Sequence, residues 1–497
     1  MNTLNNTPYT KKSYLRRNTT KHSTKKRRSK IGGEALASGG FGCIFKPALK
    51  CKHISTRTNG VSKMSVKKHG IQEIKEIKTI REKLRHIKNY SDYYLLDIEL
   101  CEPDKLTNND VQKFDEKCYA LTRYNITQKN VNDNLDNLTI LNMPDAGIDL
   151  KEWFLKDNNI DREKIIKLNK MIIKLLKHGI VSMNKSGVIH NDLKDRNVMV
   201  DKKSNVRIID WGLASIVKNK SIPQEIMNRP LQFNTPFSSM ILSQEFIANY
   251  NIFLQHVKKG TILFNDVNIR NFIINEYLIK INKYYGYYDD NVIVFNMIFG
   301  SNISEETHLT NENKQSLLEY GYYLYYLTNY ISEILVKYTG KTYNFEINKY
   351  FMDCYLFNSD VFGIMTVYYN FFEIDVNKIA LPDNMKHQFL NRVKSMLVEY
   401  IFSNSSEKIN VKKLIRTIDC LSKLVSSSSN NNNLNSISRY DIYSNSKSHT
   451  HSKSTKHSKS TKHSKSTKHS KSTKHNKSTK HNKSTKHNKS LKKLSSQ

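Results

Sequence analysis

The chain has 497 residues, 38% of them hydrophobic and 25% charged, which is enough for two or three average domains and one large hydrophobic core. Its formal net charge is +35, but residues 1–30 hold ten Lys or Arg, residues 451–492 hold fourteen Lys, and neither segment has an acid. Most of the excess positive charge therefore lies at the two ends of the chain. The middle is only moderately basic, and its charge excludes no class of protein.

Two further features bear on location. No uninterrupted apolar run reaches about eighteen residues, which argues against a spanning helix and leaves only peripheral membrane contact. The start of the chain lacks the apolar segment of a secretory signal, and the cysteines are scattered without a C-x-x-C pair. These observations predict an intracellular protein in a reducing compartment. The cysteines are Cys43, Cys51, Cys101, Cys118, Cys354 and Cys420.

Residues 1–30 have no apolar periodicity and are predicted to be disordered, because they cannot bury enough surface to offset the entropy of ordering. Short β-like pieces follow at 34–36, 43–45 and 60–64. An apolar stripe at helical spacing then predicts one helix, and 139–143 predicts another strand, followed by a connector at 144–147. The stripe consists of Ile71, Ile74, Ile77, Ile80 and Leu84.

Residues 163–185 have the pattern of a buried amphipathic helix that leads directly into a polar motif at His190. Beyond Ser239 the chain is rich in Tyr, Asn and Ile, with mostly helical patterning to about Val425. Residues 426–433 are a Ser/Asn patch, and the last fifty residues repeat HSKSTK and its variants. A polar six-residue repeat has no face to stack, so it predicts an extended tail rather than a solenoid.

The polar motif at 190–197 is HNDLKDRN, and it is followed by DWG at 210–212. Transfer of a γ-phosphoryl group requires an aligned hydroxyl, a metal that bridges the phosphates and cations that absorb charge. Asp192 is the predicted catalytic base, and Lys194 is predicted to meet the γ-phosphoryl oxygens. Asn197 and Asp210 are hard oxygen ligands suited to Mg²⁺. A merely polar loop between two strands is the alternative interpretation.

A glycine-rich stretch at 37–45 lies between two strand-like pieces, where glycines let backbone amides approach phosphates closely. It fits the G-x-G-x-x-G-x-V template except at its first position, which is alanine, and a plain glycine turn is the alternative. The predicted nucleotide-binding residues here are Ala37, Ser38, Gly39, Gly40, Phe41, Gly42, Cys43, Ile44 and Phe45.

Lys63 ends the next strand-like piece and is the predicted clamp for the α- and β-phosphates, although Lys67 and Lys68 lie close by in sequence. Such a lysine needs a glutamate from the following helix. Glu76 is preferred by spacing, with Glu73 as the alternative.

Together these motifs resemble the eukaryotic-type serine/threonine protein kinase family, and in their divergence they are similar to kinases of giant DNA viruses. The resemblance implies an α+β, bilobal protein kinase-like fold, with a β-rich N-lobe over about 31–143 and a mostly helical C-lobe over about 147–425. It also implies an insertion over about 240–350. The composition places a disordered basic tail at 1–30 and a low-complexity tail at 426–497 on either side of this domain. ATP is expected between the lobes, its adenine near 143–146 and its ribose near Asp149.

Several residues depart from the family pattern. Asn191 replaces the arginine that pairs with a phosphorylated activation loop in many members, and Trp211 replaces phenylalanine after the metal-binding aspartate. No Ala-Pro-Glu triplet follows, and Asn234-Thr235-Pro236-Phe237 is its nearest counterpart. The family pattern resumes at 359–363, SDVFG, which resembles the D-x-W helix motif.

The sequence therefore predicts a Ser/Thr kinase that uses ATP and Mg²⁺ on protein substrates, in the cytoplasm of a host cell or in a virion, with the nucleus left open. A pseudokinase scaffold is the first alternative, and a kinase for a small molecule or lipid headgroup is the second. The basic tails fit non-specific contact with nucleic acid or an anionic surface, or simple solubilisation, equally well.

Overall fold

The computed structural model describes residues 33–53, 60–157, 159–227, 229, 231–283, 287–300 and 311–427. The tail predicted at 1–30, and the tail predicted at 426–497 apart from its first two residues, lie outside the described residues. Where the chain is described, it begins with a β-rich region and continues as a helical one, as the resemblance implies.

The β-rich region is built on an antiparallel five-stranded sheet with the order β1-β2-β3-β5-β4. The four strands predicted from sequence are confirmed, each extended by two residues, whereas β4 was not predicted. The strands are β1 Glu34–Ser38, β2 Gly42–Lys46, β3 Gly60–Val66, β4 Glu99–Cys101 and β5 Leu138–Pro144.

Both faces of this sheet are covered, because alternate residues of a strand point to opposite faces. Leu141 on β5 packs into the same apolar core as helix α1 (Lys67–Leu84), which lies on one face. Leu138 and Ile140 pack into a second core on the other face, with the outer segment, defined here as residues 102–137. The outer segment contains three one-turn helices, α2 Asn108–Val111, α3 Phe114–Lys117 and α4 Tyr119–Thr122.

Helix α1 contacts the sheet through a glycine. A Cβ atom at Gly70 would lie 2.2 Å from Thr139 Cγ2 on β5 and 2.9 Å from Ser65 Oγ on β3. Only a residue without a side chain allows this approach. Gly70 is buried, whereas Ile71, which the sequence placed on the apolar stripe, is 48% exposed.

The helical region surrounds a long helix, α6 Arg162–Lys174 continued through a π-helical stretch to α7 Val181–Lys185. It confirms the helix predicted at 163–185. Its start is capped by Asp161, whose carboxylate accepts a hydrogen bond from Lys164 N at 2.8 Å. Short strands carry the polar motif: β6 Ile148–Asp149, β7 Val188–Ile189, β8 Val198–Val200, β9 Val206–Ile208 and β10 Ser215–Ile216.

The region predicted as an insertion, about 240–350, consists of helices joined to the main core by aromatic rings. Phe237 contacts Tyr330 and Phe295 from that region and Phe402 from the end of the domain, with centroid separations of 5.4, 6.0 and 6.3 Å. The remaining helices are α5 Leu150–Leu155, α8 Gln224–Met227, α9 Gln244–Lys258, α10 Asp266–Lys283, α11 Tyr287–Phe299, α12 Asn311–Tyr338, α13 Ile347–Tyr350, α14 Leu356–Met365, α15 Asn370–Glu373, α16 Asp383–Leu397 and α17 Val411–Ser426.

Four cysteines form disulfides, Cys43 with Cys118 and Cys51 with Cys101. Disulfides persist mainly in oxidising surroundings. The scattered spacing of the cysteines therefore no longer supports the prediction of a reducing compartment. Sequence spacing could not reveal these pairs, since each joins residues 50 or more positions apart that meet only in the folded sheet. Among the residues that the structure describes, no helix is both long and apolar enough to cross a membrane.

The close approach at Gly70 gives a stability prediction. We expect Gly70→Ala to lower the free energy of unfolding by about 1–3 kcal/mol despite alanine's better helix propensity, because the new methyl group overlaps Thr139. Urea unfolding of the full chain measures it. Thr139→Ser removes the obstructing methyl and keeps the hydroxyl that donates to Cys101 O, so the double variant should recover most of the loss. A Gly70→Ala variant as stable as the parent would contradict the packing described.

Candidate active site

Lys63 lies on β3 and pairs with Glu73, not with Glu76. The distance from Lys63 Nζ to Glu73 Oε1 is 2.7 Å, and both side chains are about four-fifths buried. The preference for Glu76 is therefore wrong. Its carboxylate instead accepts a hydrogen bond from Gln72 Nε2 at 2.6 Å.

The reason lies in the position of each glutamate along the helix. Glu76 is three residues after Glu73, so it lies about 4.5 Å further along α1, on the next turn. Lys63 on β3 reaches the turn that carries Glu73. The apolar spacing of α1 could not distinguish the two turns.

The glycine-rich loop (residues 37–45) forms the end of β1, a tight turn and β2. Gly39 N donates to Gly42 O at 2.8 Å across the turn. At Gly42 an added Cβ would lie 3.2 Å from two carbons of the Lys63 side chain and 2.7 Å from Met64 O. Glycine at this position leaves room for the lysine to pass beneath the loop.

The catalytic loop (residues 190–197) holds the Asp192 carboxylate in a fixed position, with the residue only 6% exposed. Lys194 Nζ donates to both carboxylate oxygens, at 3.1 and 3.0 Å. Asn197 Nδ2 donates to Asp192 Oδ2 at 2.9 Å and to its main-chain oxygen at 2.7 Å. The predicted base, lysine and amide are therefore brought together on one side of the loop.

Asp210 follows β9 and is brought to this loop by the main chain. Ile209 N donates to Asn197 O at 3.0 Å, and His190 Nε2 donates to Ile209 O at 2.9 Å. Asp210 itself has left-handed dihedral angles, φ 62° and ψ 69°, a conformation that aspartate tolerates better than most residues. Trp211 is buried beside it, with its ring at 5.0 Å from His190. The bulkier residue thus fills an apolar slot.

The donor set fits a magnesium ion that is shared with a nucleotide. Among the described residues, no group of three or more His, Cys, Asp or Glu could hold a metal by itself. Asn197 and Asp210 offer hard oxygens, and Mg²⁺ commonly binds through one or two such protein ligands together with phosphate oxygens and water.

A buried carboxylate on α14 supports the catalytic loop from below. Asp360 is 1% exposed and accepts hydrogen bonds from His190 N and Asn191 N, both at 3.0 Å, and from Asn184 Nδ2 at 2.7 Å. Burial raises the pKa of the Asp360 carboxyl, and His190 and these donors offset part of the rise. This is the residue of the 359–363 motif.

Two asparagines bind the segment after Asp210 to the catalytic loop. Asn191 Nδ2 donates to Leu213 O and to Ser215 Oγ, both at 3.1 Å. Asn234, which the sequence matched to the missing Ala-Pro-Glu triplet, instead donates to Asp192 Oδ1 at 2.9 Å.

Arg229 was not singled out from the sequence. Its Nη2 lies 4.0 Å from Asp192 Oδ1 with the side chain 10% exposed. No sequence pattern indicates this contact, because Arg229 and Asp192 are far apart in the chain and meet only in the folded structure.

Asp145 lies in the connector between the two regions, and Asp149 ends the short strand β6 that follows it. Asp149 Oδ1 accepts a hydrogen bond from Glu152 N at 2.8 Å, so it caps α5, and its predicted contact with ribose stays a prediction. Asp145 pairs with Lys46 of β2 at 2.7 Å, which links the connector to the strand after the glycine-rich loop.

Residues 32–249 match the protein kinase domain family. The interferon-induced, double-stranded RNA-activated protein kinase of Rattus norvegicus is 23% identical over 212 residues, which cover 41% of this chain and 35% of that protein. Serine/threonine-protein kinase PSK1 of Saccharomyces cerevisiae is 46% identical over 50 residues, 10% of this chain and 4% of that protein. Serine/threonine-protein kinase cds1 of Schizosaccharomyces pombe is 29% identical over 85 residues, 17% and 18% of the two chains.

The sheet, the Lys63–Glu73 pair and the catalytic loop agree with this match, so residues 32–249 are similar to a protein kinase domain in sequence and in fold. The matched segments span about a third or less of the lengths of these three relatives. The similarity therefore concerns the domain and not the whole of any relative.

Replacing each of the two glutamates of α1 by glutamine, in separate variants, distinguishes their roles. We expect Glu73→Gln to lower kcat/KM for ATP by about 10- to 100-fold, because the lysine loses the charge that orients it. Glu76→Gln, the matched control, should stay within about twofold, since glutamine can still bond to Gln72. Steady-state phosphorylation kinetics at varied ATP give both numbers. Equal effects of the two variants would contradict the assignment.

Loss of the buried carboxylate should unfold the catalytic loop first. Asp360→Ala leaves the main-chain N–H groups of His190 and Asn191 without their acceptor, while the Asn184 amide keeps Val188 O, so we expect a loss of about 3 kcal/mol in the free energy of unfolding. Asp383→Ala, at a fully exposed aspartate, should change it by less than about 1 kcal/mol. Urea unfolding monitored by tryptophan fluorescence compares the variants. A change at Asp360 no larger than that at Asp383 would refute the supporting role.

Proposed function

We propose that this protein is an active, ATP-dependent serine/threonine protein kinase. The observation that carries the proposal is the Asp192 carboxylate, which accepts hydrogen bonds from Lys194, Asn197 and Asn234. The nucleotide-facing strand β3 supplies the Lys63–Glu73 pair at the same time. A base and a phosphate clamp, both held in place, are what phosphoryl transfer asks of a protein.

In the proposed reaction, Asp192 accepts the proton of the acceptor hydroxyl as its oxygen bonds to the γ-phosphorus. The bond from that phosphorus to the β–γ bridging oxygen breaks, and ADP leaves with the electron pair. Lys194 can turn from the carboxylate to the transferring phosphoryl group, and Lys63 can hold the α- and β-phosphates. Mg²⁺, held by Asn197 and Asp210 with the phosphates, would neutralise charge on the β- and γ-oxygens.

The acceptor is proposed to be a protein Ser or Thr. Support comes from Lys194, the residue of the serine/threonine pattern, and from relatives that bear serine/threonine kinase names. Arg229, whose guanidinium lies beside Asp192, adds positive charge where an acceptor would approach. A small-molecule or lipid acceptor is the competing proposal, and testing both acceptor types separates them.

Several finer points belong to the same proposal. The divergent motifs support kinship with kinases of giant DNA viruses, and use of ATP supports an intracellular place of action, in a host cell or a virion. The basic tails are proposed as weak, salt-sensitive contacts for polyanions, on the strength of their charge alone.

A pseudokinase scaffold is the alternative from a different functional class. Pseudokinases usually lack a metal ligand or the base, whereas here Asp192, Asn197 and Asp210 are all present. Stabilisation by nucleotide without turnover would favour this alternative.

Labelled ATP tests the proposal directly. The full chain is incubated with Mg²⁺, γ-labelled ATP and generic basic and acidic protein substrates, beside Asp192→Ala, Asp210→Ala and the exposed control Asp383→Ala. We expect phosphoserine or phosphothreonine from the parent and the control, and a loss of about 10³-fold or more in the two site variants. Label transfer that is equal in the parent and Asp192→Ala would refute the proposal.

A further inference from the structure

The glycine-rich loop is held from outside by the outer segment. Tyr119 Oη donates to Ser38 O at 3.0 Å, and Arg123 Nη2 donates to Gly40 O at 2.9 Å. In the same direction, Ala120 N donates a hydrogen bond to Ser38 Oγ at 2.9 Å. Three bonds from one short stretch thus reach the start and the middle of the turn that would cover the phosphates.

A covalent bond joins the same two elements. Cys43, at the start of β2, is bonded to Cys118, the residue before α4, with 5.2 Å between their Cα atoms. Both cysteines are fully buried. Residues 118–124, here called the loop clamp, therefore contact the glycine-rich loop by one disulfide and three hydrogen bonds.

The tip of the glycine-rich loop also lies close to the loop clamp. Phe41, 60% exposed, lies with its ring 5.0 Å from that of His69 on α1. His69 Nε2 in turn lies 3.1 Å from the hydroxyl of Tyr124, the last residue of the loop clamp. Phe41, at the tip of the glycine-rich loop, is thus connected to the loop clamp through His69.

The outer segment, which carries the loop clamp, is well packed against the sheet. Phe114, Leu121 and Val131 of the outer segment are fully buried against the outer face of the sheet. Thr107 and Asp110 cap α2 reciprocally, and Asn132 both donates to and accepts from the main chain of Leu106. An element with its own apolar core and satisfied caps can fix the position of what it binds.

We propose that the loop clamp positions the glycine-rich loop for nucleotide, and that the Cys43–Cys118 disulfide makes nucleotide affinity depend on thiol oxidation. The inference rests on the proposed function of the site. A glycine-rich loop left free loses conformational entropy when it closes on phosphates, and a loop already held loses less. Tyr119 and Arg123 are positioning residues in this scheme, since they contact the loop and not the nucleotide.

The redox step is a thiol–disulfide exchange. A dithiol reductant supplies two electrons and two protons, the Cys43–Cys118 S–S bond breaks to give two thiols, and the dithiol becomes a disulfide. The hydrogen bonds of the loop clamp then act without the covalent link.

The test uses the full chain with Cys51→Ser and Cys101→Ser, so that Cys43–Cys118 is the remaining bridge among the described cysteines. Titration calorimetry gives the Kd of Mg-ADP before and after dithiothreitol, and thiol counting verifies reduction. We expect Kd to rise about three- to tenfold on reduction. The reciprocal chain, with Cys43→Ser and Cys118→Ser, should bind as weakly as the reduced protein and ignore the reductant.

A second pair of variants tests the hydrogen bonds without cysteine chemistry. Tyr119→Phe with Arg123→Ala should raise KM for ATP about three- to tenfold while kcat at saturating ATP stays within about twofold. Lys129→Ala, an exposed change on the outer segment, is the matched control.

An unchanged Kd after verified reduction, together with an unchanged KM in the Tyr119/Arg123 variant, would overturn the clamp and leave the kinase proposal intact. A parent chain that binds no Mg-ADP would overturn both.

Discussion

The buried Asp360 carboxylate is the constraint on which the rest of the site depends. It accepts the main-chain N–H groups of His190 and Asn191, and so it fixes the start of the catalytic loop. His190 then holds Ile209 O, which sets the position of Asp210, and the same loop ends at Asn197. A buried carboxylate such as Asp360 is stable only when N–H groups donate hydrogen bonds to it. These bonds fix the conformation of the catalytic loop. Asp192, the predicted base, and Asn197 and Asp210, the predicted metal ligands, take their positions from it.

The segment after Asp210 is held in a way that needs no phosphate. Where many kinases have an arginine that awaits a phosphorylated residue, Asn191 already donates to Leu213 O and Ser215 Oγ. Asn234 bonds directly to the Asp192 carboxylate. Because neutral amides supply these bonds, adding negative charge gives them no new partner, which agrees with the departure noted in the sequence.

Much of this architecture could be predicted from sequence, because strands and long helices bury periodic apolar faces. The strands at 34–36 and 139–143 and the helix at 163–185 followed from that pattern. Elements shaped by distant contacts could not be predicted: the one-turn helices of the outer segment, the cysteine pairs and the approach of Arg229 to Asp192. Glu73 stood only as the alternative to Glu76, because apolar periodicity does not tell which turn of α1 faces Lys63.

Helix α1 belongs to the same hydrophobic core as the helical region, through Ile74, Ile77 and Ile80 on one side and Tyr94 on the other. Tyr94 is itself tied to α6–α7 by a hydrogen bond from its hydroxyl to Gly179 O at 2.8 Å. Swinging α1 outward would return three isoleucines to water at a cost of about 5–9 kcal/mol, more than one modification or weak partner supplies. A rearrangement that rotates this helix away from the core is therefore thermodynamically remote, so the Lys63–Glu73 pair stays assembled.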